Sequence, residues 1–259
     1  MSSSPRNGLR SAFDAGETAL GVIDTTYSPR VVELCGELGY DFVWLDLEHG
    51  GPSPWDGDTL EGFARAAELS DTELLVRIPE PTPALVRKTL DAGVRNLFVS
   101  HVETAAEAER VAQAARYDYD GEPGDRGLAS PRASRWGLVG DYPATEDRET
   151  LVGVTIESRA AVENIDDICA VPELGFVFAG PLDLSVSHGT PGKYDSDAVL
   201  DDVERVRDAA LGAGTPVGNL AFGVEDAREK REQGYSLLNV GNTMGAIKSG
   251  LSGTLDQLR

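Results

Sequence analysis

Eight short apolar runs, most of them continuous rather than alternating, limit what this chain can fold into. They cover residues 19–23, 42–46, 73–77, 96–100, 151–157, 175–179, 216–220 and 236–241. A strand reads as an unbroken apolar run when neither of its faces meets water, which is the situation of a parallel strand under covering helices. Between the runs, apolar residues recur at helical spacing, as in Leu85-Val86-Leu90 and Ala105-Ala108-Val111-Ala112-Ala115. Pro29, Pro83 and Asp197 stand where helices would start, and Gly39, Gly93, Gly175, Gly214 and Gly234 stand where helices would give way to strands. Eight alternating units predict the α/β class and a single (β/α)8 TIM barrel spanning residues 1–259. No G-x-G-x-x-G follows the first run, which argues against a doubly wound dinucleotide fold.

Candidate acids, bases and ligands gather where the runs end. Residues 42–46 lead into Glu48 and His49, Leu74-Leu75-Val76 delivers Arg77, and Val152 to Ile156 delivers Glu157. Phe176-Val177-Phe178 opens into Gly180-Pro181-Leu182-Asp183. A barrel builds its active site from such strand ends on its C-terminal face, so the chain reads as an enzyme.

Charge excludes some partners. Asp and Glu total 44 against 23 Lys and Arg, giving a net charge of −21. A field of that sign repels nucleic acid and anionic membranes. The acids are spread along the chain, as expected of a halophilic-type acidic surface in a high-salt cytoplasm, with an ordinary acidic mesophile protein as the alternative. No run approaches the roughly 18 apolar residues of a membrane span, and Met1 to Arg6 has no signal-peptide stretch, so a cytoplasmic protein is expected. Cys35 and Cys169 lack metal-ligand spacing and read as buried thiols.

One stretch breaks the rhythm. Residues 117–150 are rich in Gly, Pro, Asp and Arg and too long for an ordinary helix-to-strand connection. Arg126, Arg132, Arg135 and Trp136 make it locally basic. It is either a lid that clamps an anionic substrate or an interface arm whose arginines pair with nearby carboxylates. Such a connection begins on the face away from the chemistry, which favours the arm.

His49 sits beyond the second strand among acids that tune an imidazole, and suits a general base. His101, after the fourth strand, has substrate contact as one reading, and His188 is a weaker candidate. Glu157 and Asp183 end or follow neighbouring strands, and two carboxylates without thiolate or clustered imidazole suit a hard cation, Mg2+ or Mn2+, better than zinc. Their alternative is pairing with arginines. Arg77 suits a carboxylate or a developing enolate, with a salt bridge to Glu157 or Asp46 as the alternative. Gly180 to Ser185 forms a turn in which Leu182 and Asp183 offer N–H groups and Pro181 none. None of Lys88, Lys193, Lys230 and Lys248 ends a strand, which argues against Schiff-base chemistry.

Several motifs recur in a known order: residues 42–49, Val76-Arg77-Ile78-Pro79, Leu90-Asp91-Ala92-Gly93, Arg126-Gly127, Arg132-Ala133-Ser134-Arg135-Trp136, Ile156-Glu157 and residues 180–185. That order resembles the HpcH/HpaI aldolase family, metal-dependent class II pyruvate aldolases of the phosphoenolpyruvate/pyruvate barrel superfamily. The resemblance implies that Glu157 and Asp183 bind the metal, with Co2+ as a further candidate ion. It also implies that His49 is the base, Asp91 its acidic partner, Arg77 the pyruvyl ligand, and the Gly180–Asp183 turn the receiver of the carboxylate. The implied activity is reversible cleavage of a 4-hydroxy-2-oxo acid to pyruvate and an aldehyde, in a homo-oligomer that the family often builds as a hexamer. An acyl-CoA lyase of the citramalyl-CoA or malyl-CoA type and a non-catalytic keto-acid-binding barrel are the alternatives. Thr155, Val22, Leu182 and Ser100-His101 depart from the familiar pattern.

Overall fold

The computed structural model describes residues 6–259; the leading stretch read as lacking a signal sequence lies, but for Arg6, outside the described residues. The expected apolar runs form eight parallel strands: β1 Ala19–Ile23, β2 Phe42–Asp46, β3 Glu73–Ile78, β4 Asn96–Val99, β5 Leu151–Ile156, β6 Phe176–Ala179, β7 Val217–Leu220 and β8 Leu237–Asn242. They hydrogen-bond in chain order and close, β8 pairing with β1, so the (β/α)8 barrel is the observed fold. Each strand boundary falls within one residue of the sequence expectation.

Alternation along the strands sorts side chains into two cores. Phe42, Trp44, Leu75, Phe98, Phe176, Phe178 and Leu237 fill the barrel interior, while Val43, Leu45, Val76, Val154 and Val177 face the surrounding helices. Two glycines make room for the interior rings. A Cβ at Gly153 would stand 2.6 Å from Phe176, and one at Gly218 would stand 2.6 Å from Phe178. The helix Gly8–Asp14 closes the N-terminal end, its Leu9 buried in the interior cluster and Phe13 edge-on to Phe176.

Residues 117–150 are more ordered than their composition predicts. They contain a small hairpin (Asp118–Tyr119 with Glu122–Pro123), a 3-10 turn at Arg132–Ser134 and a helix at Tyr142–Glu149. The segment covers the N-terminal end of the barrel, opposite the strand tips that carry the candidate chemistry. Arg126 is fully buried there, its guanidinium 4.9 Å from the Tyr117 ring, with Nη2 donating to Tyr142 Oη at 3.1 Å. Arg132 pairs with Glu68 at 2.7 Å. Both arginines are thus engaged away from the C-terminal mouth.

Candidate active site

Inward-facing positions at the C-terminal tips of β2 to β6 converge on one cluster. The second residue after an inward side chain faces inward again, so Trp44 is followed by Asp46, Leu75 by Arg77, Phe98 by Ser100 and Thr155 by Glu157. On β2, β3 and β4 an apolar interior residue thereby gives way to a polar one where the barrel opens, and on β5 Thr155 gives way to Glu157.

Arg77 sits at the centre of that polar layer and is 8% exposed. Its Nε donates to Asp46 Oδ1 at 2.9 Å and its Nη2 to Asp46 Oδ2 at 2.6 Å, a two-point clamp. Nη1 lies 3.0 Å from Glu48 Oε2, and the guanidinium carbon stands 5.2 Å from the Trp44 ring. The salt bridge to Asp46 weighed as an alternative is therefore present. Burial alone would raise the Asp46 pKa, but the hydrogen bond and charge of Arg77, with the Glu48 N–H, outweigh it and hold the carboxyl below its ordinary value.

Glu48 links this clamp to the cation-binding candidates. Its Oε2 also accepts from Ser100 Oγ at 2.7 Å, and its Oε1 lies 2.9 Å from His101 Nε2. His101 Nδ1 is 3.6 Å from Glu157 Oε1, the oxygen that accepts the His101 backbone N–H at 2.7 Å. One ligand atom from each of Glu48, His101 and Glu157 falls within 4.8 Å of the other two. Burial pushes the Glu157 pKa up, the His101 N–H opposes, and the charges of Glu48 and Asp183 push it further up. A cluster of two acids and an imidazole, one acid resisting ionisation, is a donor set that fits a divalent cation.

The other expected residues are distributed unevenly around this cluster. Asp183 lies in the first turn of the helix Pro181–Ser187, outside the 4.8 Å cluster but close enough for its charge to act on Glu157. Gly180 caps that helix, and a Cβ there would stand 3.1 Å from Glu157 Cβ and 3.2 Å from Thr155 Cγ2, so glycine lets the turn lie against the tip of β5. Leu182 is exposed at the rim. His49 is 63% exposed, its Nε2 3.7 Å from Glu48 Oε2. Asp91 ends the helix Pro83–Asp91, at the N-terminal end of the barrel, where burial raises its carboxyl pKa against the smaller opposing charges of Arg126, Lys88 and Arg87. One chain does not bring Asp91 to His49.

Sequence reasoning placed Glu48 only among the acids that tune His49 and left His101 only a contact with substrate as one reading. A signal for Glu48 is present, since it lies on the same short loop as Asp46 and His49. Two buried polar atoms near the cluster, Thr155 Oγ1 and Trp44 Nε1, have no hydrogen-bond partner among the described residues.

The sequence model of one family, described as HpcH/HpaI aldolase/citrate lyase, matches residues 25–249. The chain belongs to the HpcH/HpaI aldolase/citrate lyase family. It is accordingly an enzyme of carbon–carbon lyase type. The chain is 32% identical over 244 residues to a protein of Salmonella paratyphi A named 5-keto-4-deoxy-D-glucarate aldolase, covering 94% of this chain and 93% of that one. The same name belongs to a Salmonella arizonae relative, 32% identical over 98% of this chain and 97% of its own length. A crystal structure of an HpcH/HpaI aldolase/citrate lyase family protein from Burkholderia cenocepacia J2315 superposes with a TM-score of 0.89 at 30% identity, covering 97% of this chain and 98% of its own. Citrate synthase SbnG superposes at a TM-score of 0.84 with 28% identity over 96% of each chain.

Proposed function

We propose that this enzyme cleaves a 4-hydroxy-2-oxo acid reversibly into pyruvate and an aldehyde, with a divalent metal ion. The observation that carries the reading is the cluster itself: a clamped, buried Arg77 facing Glu48, Glu157 and His101 at the barrel mouth. The substrate name of the Salmonella relatives supports it, because a 5-keto-4-deoxy sugar diacid, numbered from its other end, is a 4-hydroxy-2-oxo acid.

Glu157 and Asp183 would hold the cation (Mg2+ or Mn2+, with Co2+ a further candidate), Glu48 standing beside them. When bound, such an ion supplies positive charge for the 2-oxo and carboxylate oxygens of the substrate. The N–H groups of Leu182 and Asp183, following Gly180 in the first turn of their helix, receive the substrate carboxylate. His49 takes the proton of the C4 hydroxyl, the C3–C4 bond breaks, and the electron pair is shared between C3 and the keto oxygen as pyruvate enolate. Arg77 offsets the charge that develops on that oxygen, a role it fills without reorganisation because Asp46 fixes its plane. A base so placed contributes roughly 10²–10⁴-fold.

Pairing of Asp91 with His49 requires a neighbouring copy, so the reading includes a homo-oligomer, a hexamer by resemblance. The helix Thr243–Leu258 supports this, for it buries only Thr243 and leaves Met244, Ile247, Leu251, Leu255 and Leu258 exposed along one side. No helix among the described residues is long and apolar enough to cross a membrane, and a cytoplasmic enzyme is the reading we carry forward. The acyl-CoA lyase alternative loses ground because Arg132 and Arg135, which kept a nucleotide tail open, lie at the opposite end from the cluster. Incubating the enzyme and Mn2+ with 4-hydroxy-2-oxo acids of varied tail, and coupling pyruvate release to lactate dehydrogenase, tests the proposal. Pyruvate release from such acids, with no cleavage of citramalyl-CoA, is the expected result, and the opposite pattern overturns it.

A further inference from the structure

We infer that Asn239 is a specificity-determining residue of this site, its side-chain amide receiving a hydroxyl on the aldehyde half of the substrate, so that 4,5-dihydroxy-2-oxo acids are preferred. The inference rests on the proposed aldolase reading and adds which part of the substrate the remaining wall of the barrel recognises.

Asn239 is an inward position of β8, two residues beyond Leu237 of the interior cluster. A barrel interior is filled in layers of four, one residue from every second strand. β2, β4 and β6 supply Trp44, Phe98 and Phe178 to one layer, with the Trp44 ring 5.1 Å from Phe98 and 5.4 Å from Phe178. Asn239 pairs with Gly21, and Gly21 pairs with Phe42. A closed eight-stranded barrel of this type climbs about one residue per strand, which sets Asn239 level with Trp44 as the fourth member of the layer.

Packing does not explain an amide in that place, where an apolar side chain would complete the layer. Asn239 Oδ1 is buried and has no hydrogen-bond partner among the described residues, nor has Trp44 Nε1 in the same layer. A buried acceptor left unpaired costs free energy, and such a group in a folded protein calls for a ligand or a function. Asn239 is also within reach of the mouth, for it is 7% exposed against 8% for Arg77. Its register partner on β7 is Leu220, and the next inward residue toward the mouth on β1 is Ile23. Both are half-buried, so the amide lies at the foot of a slot with apolar sides.

The order of the strands assigns that slot to the tail. The proposed contacts to the pyruvyl end come from β3, β5 and the turn after β6, and the base that meets the C4 hydroxyl follows β2. What extends beyond C4 therefore meets the wall of β1, β8 and β7, whose inward residues carry no charge. Asn239 is the polar side chain on the described part of that wall, and a C5 hydroxyl donating to Oδ1 satisfies it. A site built around such a bond discriminates against an analogue that lacks the hydroxyl, because the amide then stays unpaired.

The test compares pyruvate release by the full-length Mn2+-loaded enzyme from 4,5-dihydroxy-2-oxohexanoate and from 4-hydroxy-2-oxohexanoate. The wild type is expected to favour the dihydroxy acid by about 10-fold or more in kcat/KM, and Asn239→Leu to bring the ratio near one, chiefly through a higher KM for the dihydroxy acid. Asn239→Ala, which cannot overfill the layer, should lose the preference in the same way. Because the amide is unpaired in the free protein, N239L should melt no lower than the wild type. Equal use of the two acids by the wild type, a preference that survives in both variants, or a loss shared equally by both acids overturns the assignment to Asn239 and leaves the aldolase reading in place. Folded, Mn2+-loaded wild type that releases pyruvate from neither acid overturns both.

Discussion

Asp46 clamps Arg77 at two points, 2.9 Å from Nε and 2.6 Å from Nη2, with both side chains under one-tenth exposed. The pair couples stability to the proposed chemistry of the site, since the guanidinium proposed to meet substrate is also a buried charge needing a partner. Arg77→Lys keeps the charge but loses the fork, and we expect kcat to fall by roughly 100-fold with the fold intact. Asp46→Asn leaves Arg77 with Glu48 alone and is expected to cost about 3 kcal/mol of stability, read by denaturant unfolding. Because the Asp46 carboxyl is held below its ordinary value, its contribution is fully present above the usual aspartate range and is lost as pH falls through the depressed value. Acid unfolding of D46N should accordingly be flatter than that of the wild type.

Glu157 titrates in the other direction. Its pKa is raised first by burial and then by Glu48 and Asp183, so its protonated form stabilises the fold below the ordinary glutamate range, and that contribution is lost as pH rises through the raised value. A bound cation reverses the balance by favouring the carboxylate. The thermal shift produced by Mn2+, worth about 2.7 kcal/mol at 100 times Kd, should therefore grow with pH across this window and collapse in Glu157→Gln. Calorimetry with Mn2+ and with EDTA at several pH values measures it.

Thr155 offers a test that separates stability from binding. Its hydroxyl is buried without a hydrogen-bond partner among the described residues, while its Cγ2 methyl faces Gly180. Removing an unpaired buried hydroxyl in Thr155→Val should leave the unfolding free energy unchanged or raise it by up to about 1–3 kcal/mol, the relieved desolvation. If that hydroxyl meets substrate, as its place implies, KM rises roughly tenfold while kcat changes less. An unchanged KM would remove Thr155 from the site.

How much of this was legible follows from where each signal resides. The eight strands were readable because both faces of each are buried, so composition alone marks them. Arg77 and Glu157 stood out as candidates because each is a polar residue at the end of a buried strand, and Asp183 because it follows the turn after one. The helix Tyr142–Glu149 was not, since only Tyr142 and Glu146 of it are buried and no apolar stripe betrays it. The placement of His101 beside Glu48 and Glu157 was not legible, because it depends on a left-handed backbone that a histidine does not advertise. Asp91 shows the limit of resemblance: the motif suggests a partner for His49 without saying which copy of the chain provides it.

The acidic excess gives a prediction independent of the site. With a net charge of −21, self-repulsion should be screened as salt rises, because the Debye length falls from about 10 Å at 0.1 M to about 3 Å at 1 M. Denaturation midpoints are expected to climb between low salt and molar KCl. Flat or falling midpoints would favour an ordinary acidic protein.

The most direct measurement is exchange of the pyruvate methyl protons in D2O, followed by NMR with Mg2+ and repeated with EDTA. It reports enolate formation without requiring the aldehyde to be known. The account predicts loss of the methyl proton signal that needs metal, vanishes with EDTA, and falls by roughly 100-fold or more in His49→Ala, the contribution of a general base. Folded, metal-loaded protein that leaves the methyl signal intact, or exchange that continues unchanged in EDTA, would contradict it.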